Sequence, residues 1–162
     1  MNDTQGSSNP QILLSNENFI FGTPRLRQLR VNNSHCQLIG DLSKQPIHCH
    51  VPYHKSKEYR TDFKANNGIE YPYTSPNTIS AFQLKNKYGP YDLGGFIYQF
   101  RPTKVMNFVN LHILNKGGWI NVDTRVVLLE FIYFNPNTEL FTSINILFEF
   151  LTTGKLSEYV TI

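Results

Sequence analysis

The residues best able to do chemistry gather between His35 and His54. Four of the five histidines, His35, His48, His50 and His54, lie there with both cysteines, Cys36 and Cys49. Cysteine and histidine are zinc ligands, so the cluster raises a structural zinc site. Its spacing argues against one. There is no Cys-x₂-Cys and no second cysteine pair, and His35-Cys36 and His48-Cys49-His50 crowd their own ligands. In an oxidising compartment Cys36 and Cys49 would close a short loop, worth roughly 3 kcal/mol of chain entropy. In a reducing compartment they would remain two thiols. Carboxylates offer little else. Glu130 and Glu149 fall on two apolar runs that face one another and could flank a hydrolytic site. Such pairs more often face solvent or meet cations such as Arg125 and Lys155. Gly-x-Ser-x-Gly, His-Glu-x-x-His and the P-loop are missing from the sequence. Gly94-Gly95 is followed by no Lys-Ser/Thr and opens no helix. No catalytic residue, metal site or cofactor is expected, and the chain is read as a non-enzyme.

Three arginines sit among leucines in Gly22-Thr-Pro-Arg-Leu-Arg-Gln-Leu-Arg-Val31. As a strand this stretch puts Arg25, Arg27, Leu29 and Val31 on one side. The functional reading is a basic contact surface; the simpler one is a solvated edge with arginine stems lying on apolar surface. Net charge is +3 and scattered, so nucleic-acid binding is not expected. Asn2-Asp3-Thr4 and Asn32-Asn33-Ser34 are glycosylation sequons that need a lumenal location to be used.

The elements that must hold these groups are mainly strands. The chain has 162 residues, 40% hydrophobic and 14% aromatic, enough for one sheet-rich domain. No run nears the roughly 18 apolar residues of a membrane span, and the first ten residues lack a signal-peptide core. The centre is Trp119 to Phe150. Val126 to Phe134 is β-branched and aromatic. Leu140 to Phe150 alternates, with Thr142, Ile144, Ile146, Phe148 and Phe150 on one side, which predicts one buried face. Asn135-Pro136-Asn137 supplies the turn of a long antiparallel hairpin. Phe96 to Phe100 reads as a further strand. Thr103 to Lys116 is the best helix. Thr103 would cap it, Val105, Phe108, Val109 and His112 would share a face on which His112 is packed or half-exposed, and Gly117-Gly118 would end it. Residues 1–18 read as a lead-in, Tyr53 to Asn77 as a long loop packed by its own aromatics, and Thr78 to Lys87 as a short amphipathic stretch. The fold class is α+β: an antiparallel sheet with a few helices on one side and long loops.

These motifs, in this order, resemble the polycystin family of TRPP channels. Gly22-Thr-Pro-Arg-Leu-Arg-Gln-Leu-Arg-Val31 is similar to the motif that opens the large extracytoplasmic domain, and Cys36 and Cys49 match the spacing of its disulfide pair. Tyr88-Gly89, Tyr91 and Gly94-Gly95-Phe-Ile resemble Trp-Gly…Tyr…Gly-Gly-Tyr-Val. Trp119-Ile-Asn-Val-Asp-Thr-Arg-Val-Val-Leu-Leu-Glu-Phe-Ile-Tyr-Phe-Asn resembles Trp-Leu-Asp-x-x-Thr-Arg-Ala-Val-Phe-Val-Glu-Phe-x-x-Tyr-Asn, and Leu147-Phe-Glu-Phe-Leu-Thr-Thr-Gly154 continues it. The resemblance covers residues 19–154 and implies the domain between the first and second transmembrane helices, with 155–162 leading toward a membrane segment. It also implies a Cys36–Cys49 disulfide, glycosylation at Asn32 and Asn2, and a place on the extracellular or lumenal face of a membrane. The partners it implies are other polycystin-type subunits, in a homotetramer or mixed tetramer, with membrane attachment through helices this chain does not contain. Subunit contacts are expected from Arg25, Arg27, Arg30, Tyr59, Phe63, Tyr71 and Tyr73. The sequence departs from the pattern where tryptophans are expected, near Tyr71 to Tyr73 and at Tyr88. A module binding carbohydrate or lipid through exposed tyrosines is the alternative; an aromatic-lined pocket with convergent polar groups would favour it.

Overall fold

A computed structural model of the chain describes residues 13–14, 18–32, 34–35, 48–49, 51–78, 85–86 and 89–162, with 13, 14, 34, 35, 48, 49, 85, 86, 89 and 90 described by their backbone alone. The strands are β1 (Leu13–Leu14), β2 (Asn18–Arg30), β3 (Ser34–His35), β4 (His48–Cys49), β5 (Phe63–Lys64), β6 (Glu70–Tyr71), β7 (Tyr73–Thr74), β8 (Lys85–Asn86), β9 (Gly89–Pro90) and β10 (Gly95–Gln99). Helix α1 (Lys104–Lys116) follows, then β11 (Thr124–Asn135), β12 (Leu140–Phe150) and β13 (Leu156–Thr161). Seven of these strands make one sheet in the order β13-β12-β11-β2-β10-β7, with β1 also on β2. Every pairing in it is antiparallel. The α+β expectation therefore holds for the sheet, with one α-helix among the described residues where several were expected.

The long hairpin forms as its alternation predicts. β11 and β12 pair from Val126↔Glu149 to Asn135↔Leu140. Asn135 Oδ1 accepts from the backbone N–H of Asn137 and Thr138, so the asparagine side chain closes the turn. The left-handed residue is Glu139, at φ 56°, and not an asparagine.

Burial departs from the expected single face. In β12 the fully buried residues are Asn145, Leu147 and Glu149, while Ile144, Ile146, Phe148 and Phe150 are half-buried. Both faces of the central strands are covered. On one, Phe63, Phe96, Leu114, Trp119 and Val127 form a core. On the other, Leu29, Tyr91, Val126, Leu128 and Leu147 form a second. Period-two alternation marks which residues share a face, but not which face is covered.

β2 lies between β11 and β10, so the expected solvated edge is corrected to a central strand. Gly22-Thr-Pro24 interrupts its ladder. The β11–β2 register shifts between Glu130↔Arg25 and Ile132↔Phe21, leaving Gly22, Thr23 and Pro24 outside the register. Proline has no N–H for a ladder and Gly22 takes φ 74°, so a bulge is where both fit. The expected loop from Tyr53 to Asn77 carries β5, β6 and β7, and Phe63 stacks on Tyr71 at 5.2 Å. The expected tail at 155–162 holds β13, paired with β12 from Asn145↔Thr161 to Phe150↔Leu156. The stretch Thr78 to Lys87 lies mostly outside the described residues.

Candidate functional site

Strand alternation sends Arg25 and Arg27 to one side of β2 and Arg30 to the other. The register then brings Glu130 of β11 opposite Arg25. Glu130 Oε2 accepts from Arg25 Nε at 2.6 Å. Its Oε1 accepts from Arg27 Nε at 3.0 Å and Nη2 at 2.8 Å. Arg27 Nη1 donates to the carbonyls of Asp92 and Gly94. Arg27 is 1% exposed and Glu130 7%. Two cations on one carboxylate, with the remaining donors on carbonyls, satisfy a charge buried this deeply.

On the opposite side Arg30 lies flat over the Phe63 ring, its guanidinium carbon 3.9 Å from the centroid. Its Nη2 donates to Asp123 at 3.0 Å and its Nη1 to the Trp119 carbonyl at 3.2 Å. Burial lowers its pKa, and the Asp123 carboxylate opposes that shift. Gln28 donates to the same carbonyl and to Thr124 Oγ1, tying β2 to the turn that precedes β11.

A second polar group gathers on Glu58, which pairs through its backbone with Val31. Its Oε2 accepts from the Tyr53 hydroxyl and its Oε1 from the Tyr73 hydroxyl, each at 2.9 Å. Arg60 donates to Asp92 at 2.6 Å, and Asp92 N–H donates to Tyr53. Burial raises the pKa of both tyrosines well above the ordinary phenol value, and the Glu58 charge adds to it. Gly94 makes the approach possible, because a Cβ there would overlap the Tyr73 hydroxyl. Tyr91 donates to Glu149, and both are buried.

The expected residues divide by this geometry. Arg27, Arg30 and Phe63, at 1%, 4% and 8% exposure, direct their side chains into the chain itself. Tyr59, Tyr71 and Tyr73 are half-buried around the first core, and Arg25 is half-buried on the opposite face of the sheet. Asn32 is exposed. Glu130 meets Arg25 and Arg27, and Glu149 accepts from Tyr91. His54 accepts from Ser56 N–H and caps the one-turn helix Lys55–Lys57. Asn2, Cys36 and His50 lie outside the described residues, and the side chains of His35, His48 and Cys49 are not among those described; the disulfide and zinc expectations fall there.

The sequence reading missed the outward face of α1. Its inward positions are Asn107, Asn110 and Leu114. Asn107 locks the helix start, accepting from Arg101 N–H at 2.6 Å and donating to Arg101 C=O at 2.7 Å. Thr103 makes no side-chain cap, which corrects the expected capping role. With the asparagines inward, the apolar stripe faces out. Val105 is 74% exposed, Phe108 75% and Val109 48%. His112 is exposed with them and is corrected from a packed or half-exposed position. A second apolar surface lies at the hairpin end, where Phe21 meets Phe141 edge-on at 5.1 Å and Phe141 meets Phe134 at 4.7 Å. The signal for the helix face was available in Asn107 and Asn110, one turn apart on the side that turns inward.

This arrangement can hold a scaffold rigid and present apolar surface, while its buried acids are engaged by cations and phenols. Comparison with known proteins agrees in kind. The model of the polycystin domain matches residues 1–162. Polycystin-2-like protein 1 of Homo sapiens is 31% identical over 138 residues, 85% of this chain and 17% of that protein. Polycystin-2 of Danio rerio is 31% identical over 144 residues, 89% of this chain and 16% of that protein. Polycystin-2-like protein 2 of Mus musculus is 34% identical over 140 residues, 86% of this chain and 22% of that protein. The chain thus spans about a fifth or less of the length of these relatives. With a polycystin domain matched from end to end, the chain belongs to the polycystin family.

Proposed function

We propose that this chain is the extracytoplasmic domain of a polycystin-like cation-channel subunit, set between the first and second transmembrane helices and acting in subunit assembly and gating. It performs no catalysis. The observation that carries this reading is the apolar stripe of α1, turned to solvent on a domain whose buried acids are already engaged by its own cations and phenols. An exposed contiguous apolar surface marks an interaction site. Its partners are other polycystin-type subunits, identical or of a second kind. Arg25, Tyr59, Tyr71 and Tyr73 are the members of the expected contact set with partly accessible side chains; the three tyrosines lie on the sheet face that carries α1 and form the rim of that contact, and Arg25 offers a contact on the opposite face. Arg27, Arg30 and Phe63 hold the rim in place from beneath. Cys36 and Cys49 form a disulfide, and Asn32 and Asn2 carry glycans, in keeping with a place on the extracellular or lumenal side of a membrane. Residues 155–162 lead toward the next membrane segment.

Two differently tagged copies of a channel subunit carrying this chain test the assembly role. Val105→Ser with Phe108→Ser is expected to reduce their co-purification severalfold. Co-purification at the wild-type level would remove the helix face from assembly. The disulfide is tested separately. Cys36→Ser is expected to destabilise the chain by about 2–4 kcal/mol under oxidising conditions, and equal denaturation midpoints would contradict the bond.

A further inference from the structure

The two apolar surfaces, the outer side of α1 and the hairpin end, carry charge of opposite sign. α1 holds two lysines, Lys104 and Lys116, and no acid. At the hairpin end, residues 18–24 and 131–145 hold one charged side chain, the acid Glu139. All three are exposed, and none of them forms an ion pair among the described residues.

Their shapes differ in the same complementary way. A helix standing on a sheet is a ridge, and Phe108 projects from this one at 75% exposure. The hairpin end is hollowed. Phe19, Ile20, Phe21 and Phe134 line a cavity of about 190 Å³. A cavity of about 150 Å³ lined by such side chains is enough to take a benzene ring. The Phe141 ring packs on those of Phe21 and Phe134, and it is 59% exposed.

Pairing either surface with itself sets like charges together. Two α1 helices face to face bring lysine to lysine, and two hairpin ends bring Glu139 to Glu139. Placing one surface on the other removes both repulsions and adds an attraction.

We propose that α1 of one copy of this chain docks on the hairpin end of the next copy. Phe108 enters the cavity beside Phe21, and Val105 and Val109 pack around it on the phenylalanines. Glu139 meets Lys104, where the positive end of the helix dipole strengthens the attraction. Because the two docked surfaces differ, the contact is head-to-tail. Head-to-tail contacts build rings, whereas a surface that pairs with itself stops at two copies. The inference rests on the assembly reading above and names the surface that α1 meets.

Differently tagged copies of a channel subunit carrying this chain test it. One copy carries Phe108→benzoylphenylalanine, a photoreactive side chain. Peptide mapping of the cross-linked dimer is expected to join α1 to residues 18–24 or 131–142 of the other copy. Glu139→Lys alone and Lys104→Glu alone are each expected to weaken co-purification about threefold, and the two together in one chain to restore it. Both side chains are exposed, so each variant keeps the fold. A cross-link from α1 to α1 or to any other surface, no cross-link, or no restoration in the double variant would overturn this pairing and leave assembly standing. Copies that do not co-purify at all would overturn the assembly reading with it.

Discussion

Glu130 ties two strands together through their charges, because Arg25 and Arg27 share it. Removing it leaves Arg27, at 1% exposure, with two carbonyls and no anion. Glu130→Ala is therefore expected to destabilise the chain by about 3–5 kcal/mol, measured as the loss in unfolding free energy by chemical denaturation. A loss below about 1 kcal/mol would indicate that water reaches the site. The tyrosines set a pH dependence of definite sign. Tyr53 and Tyr73 hold their protons in the folded chain beyond the pH at which an unfolded tyrosine, near pKa 10, gives its proton up. Their contribution is complete below about pH 10 and is lost as pH rises above it, because the unfolded chain then binds fewer protons. Denaturation midpoints are expected to fall from about pH 9 to pH 11, and Tyr53→Phe with Tyr73→Phe should flatten that fall. An unchanged slope would contradict the account. At this scale the sequence was partly legible. Arg25 and Arg27 were visible as a charged pair on one side of a strand, and Glu130 as a lone carboxylate. Their meeting required the β2–β11 register, which no local pattern encodes. Glu58 was invisible because its partners Tyr53 and Tyr73 come from what reads as loop.

Among the elements, the hairpin and α1 illustrate two kinds of legibility. β12 alternates strictly, and its strand follows from that, though not which of its faces is the more deeply buried. The helix was placed to within a residue at its start, yet its orientation came out reversed. An apolar stripe is ordinarily packed inward; here Asn107 and Asn110 turn inward because Asn107 satisfies both backbone groups of Arg101. The apolar stripe contributes little to folding as a consequence. Phe108→Ser is expected to change the stability of the chain by less than about 0.5 kcal/mol, checked by its melting temperature. A large loss would place Phe108 in the core. The strand β10 makes the opposite case. Gly95 takes φ 140°, and a Cβ there would lie 2.6 Å from the Gln28 carbonyl oxygen. Gly95→Ala should cost about 1–3 kcal/mol, read by denaturation. A neutral result would show that β10 can shift away from β2. Gly94-Gly95 could be set aside as a phosphate loop from the sequence, but its close packing could not be read there, since spacing does not reveal how closely a neighbouring backbone comes.

At the scale of the whole molecule, one antiparallel sheet is covered on both sides at its centre and leaves apolar surface on the outer side of α1 and at the end of the hairpin, among other places. A self-sufficient domain would bury those residues; a domain that completes itself against neighbours leaves them open. The proposed assembly between subunits would cover these residues. The most direct measurement is the oligomeric state of a channel subunit carrying this chain, by mass photometry in detergent, compared with the Val105→Ser, Phe108→Ser double variant. A tetramer in the wild type that gives way to smaller species in a folded variant is the predicted result. A tetramer of equal stability in both would contradict the central claim and leave the helix face without its partner.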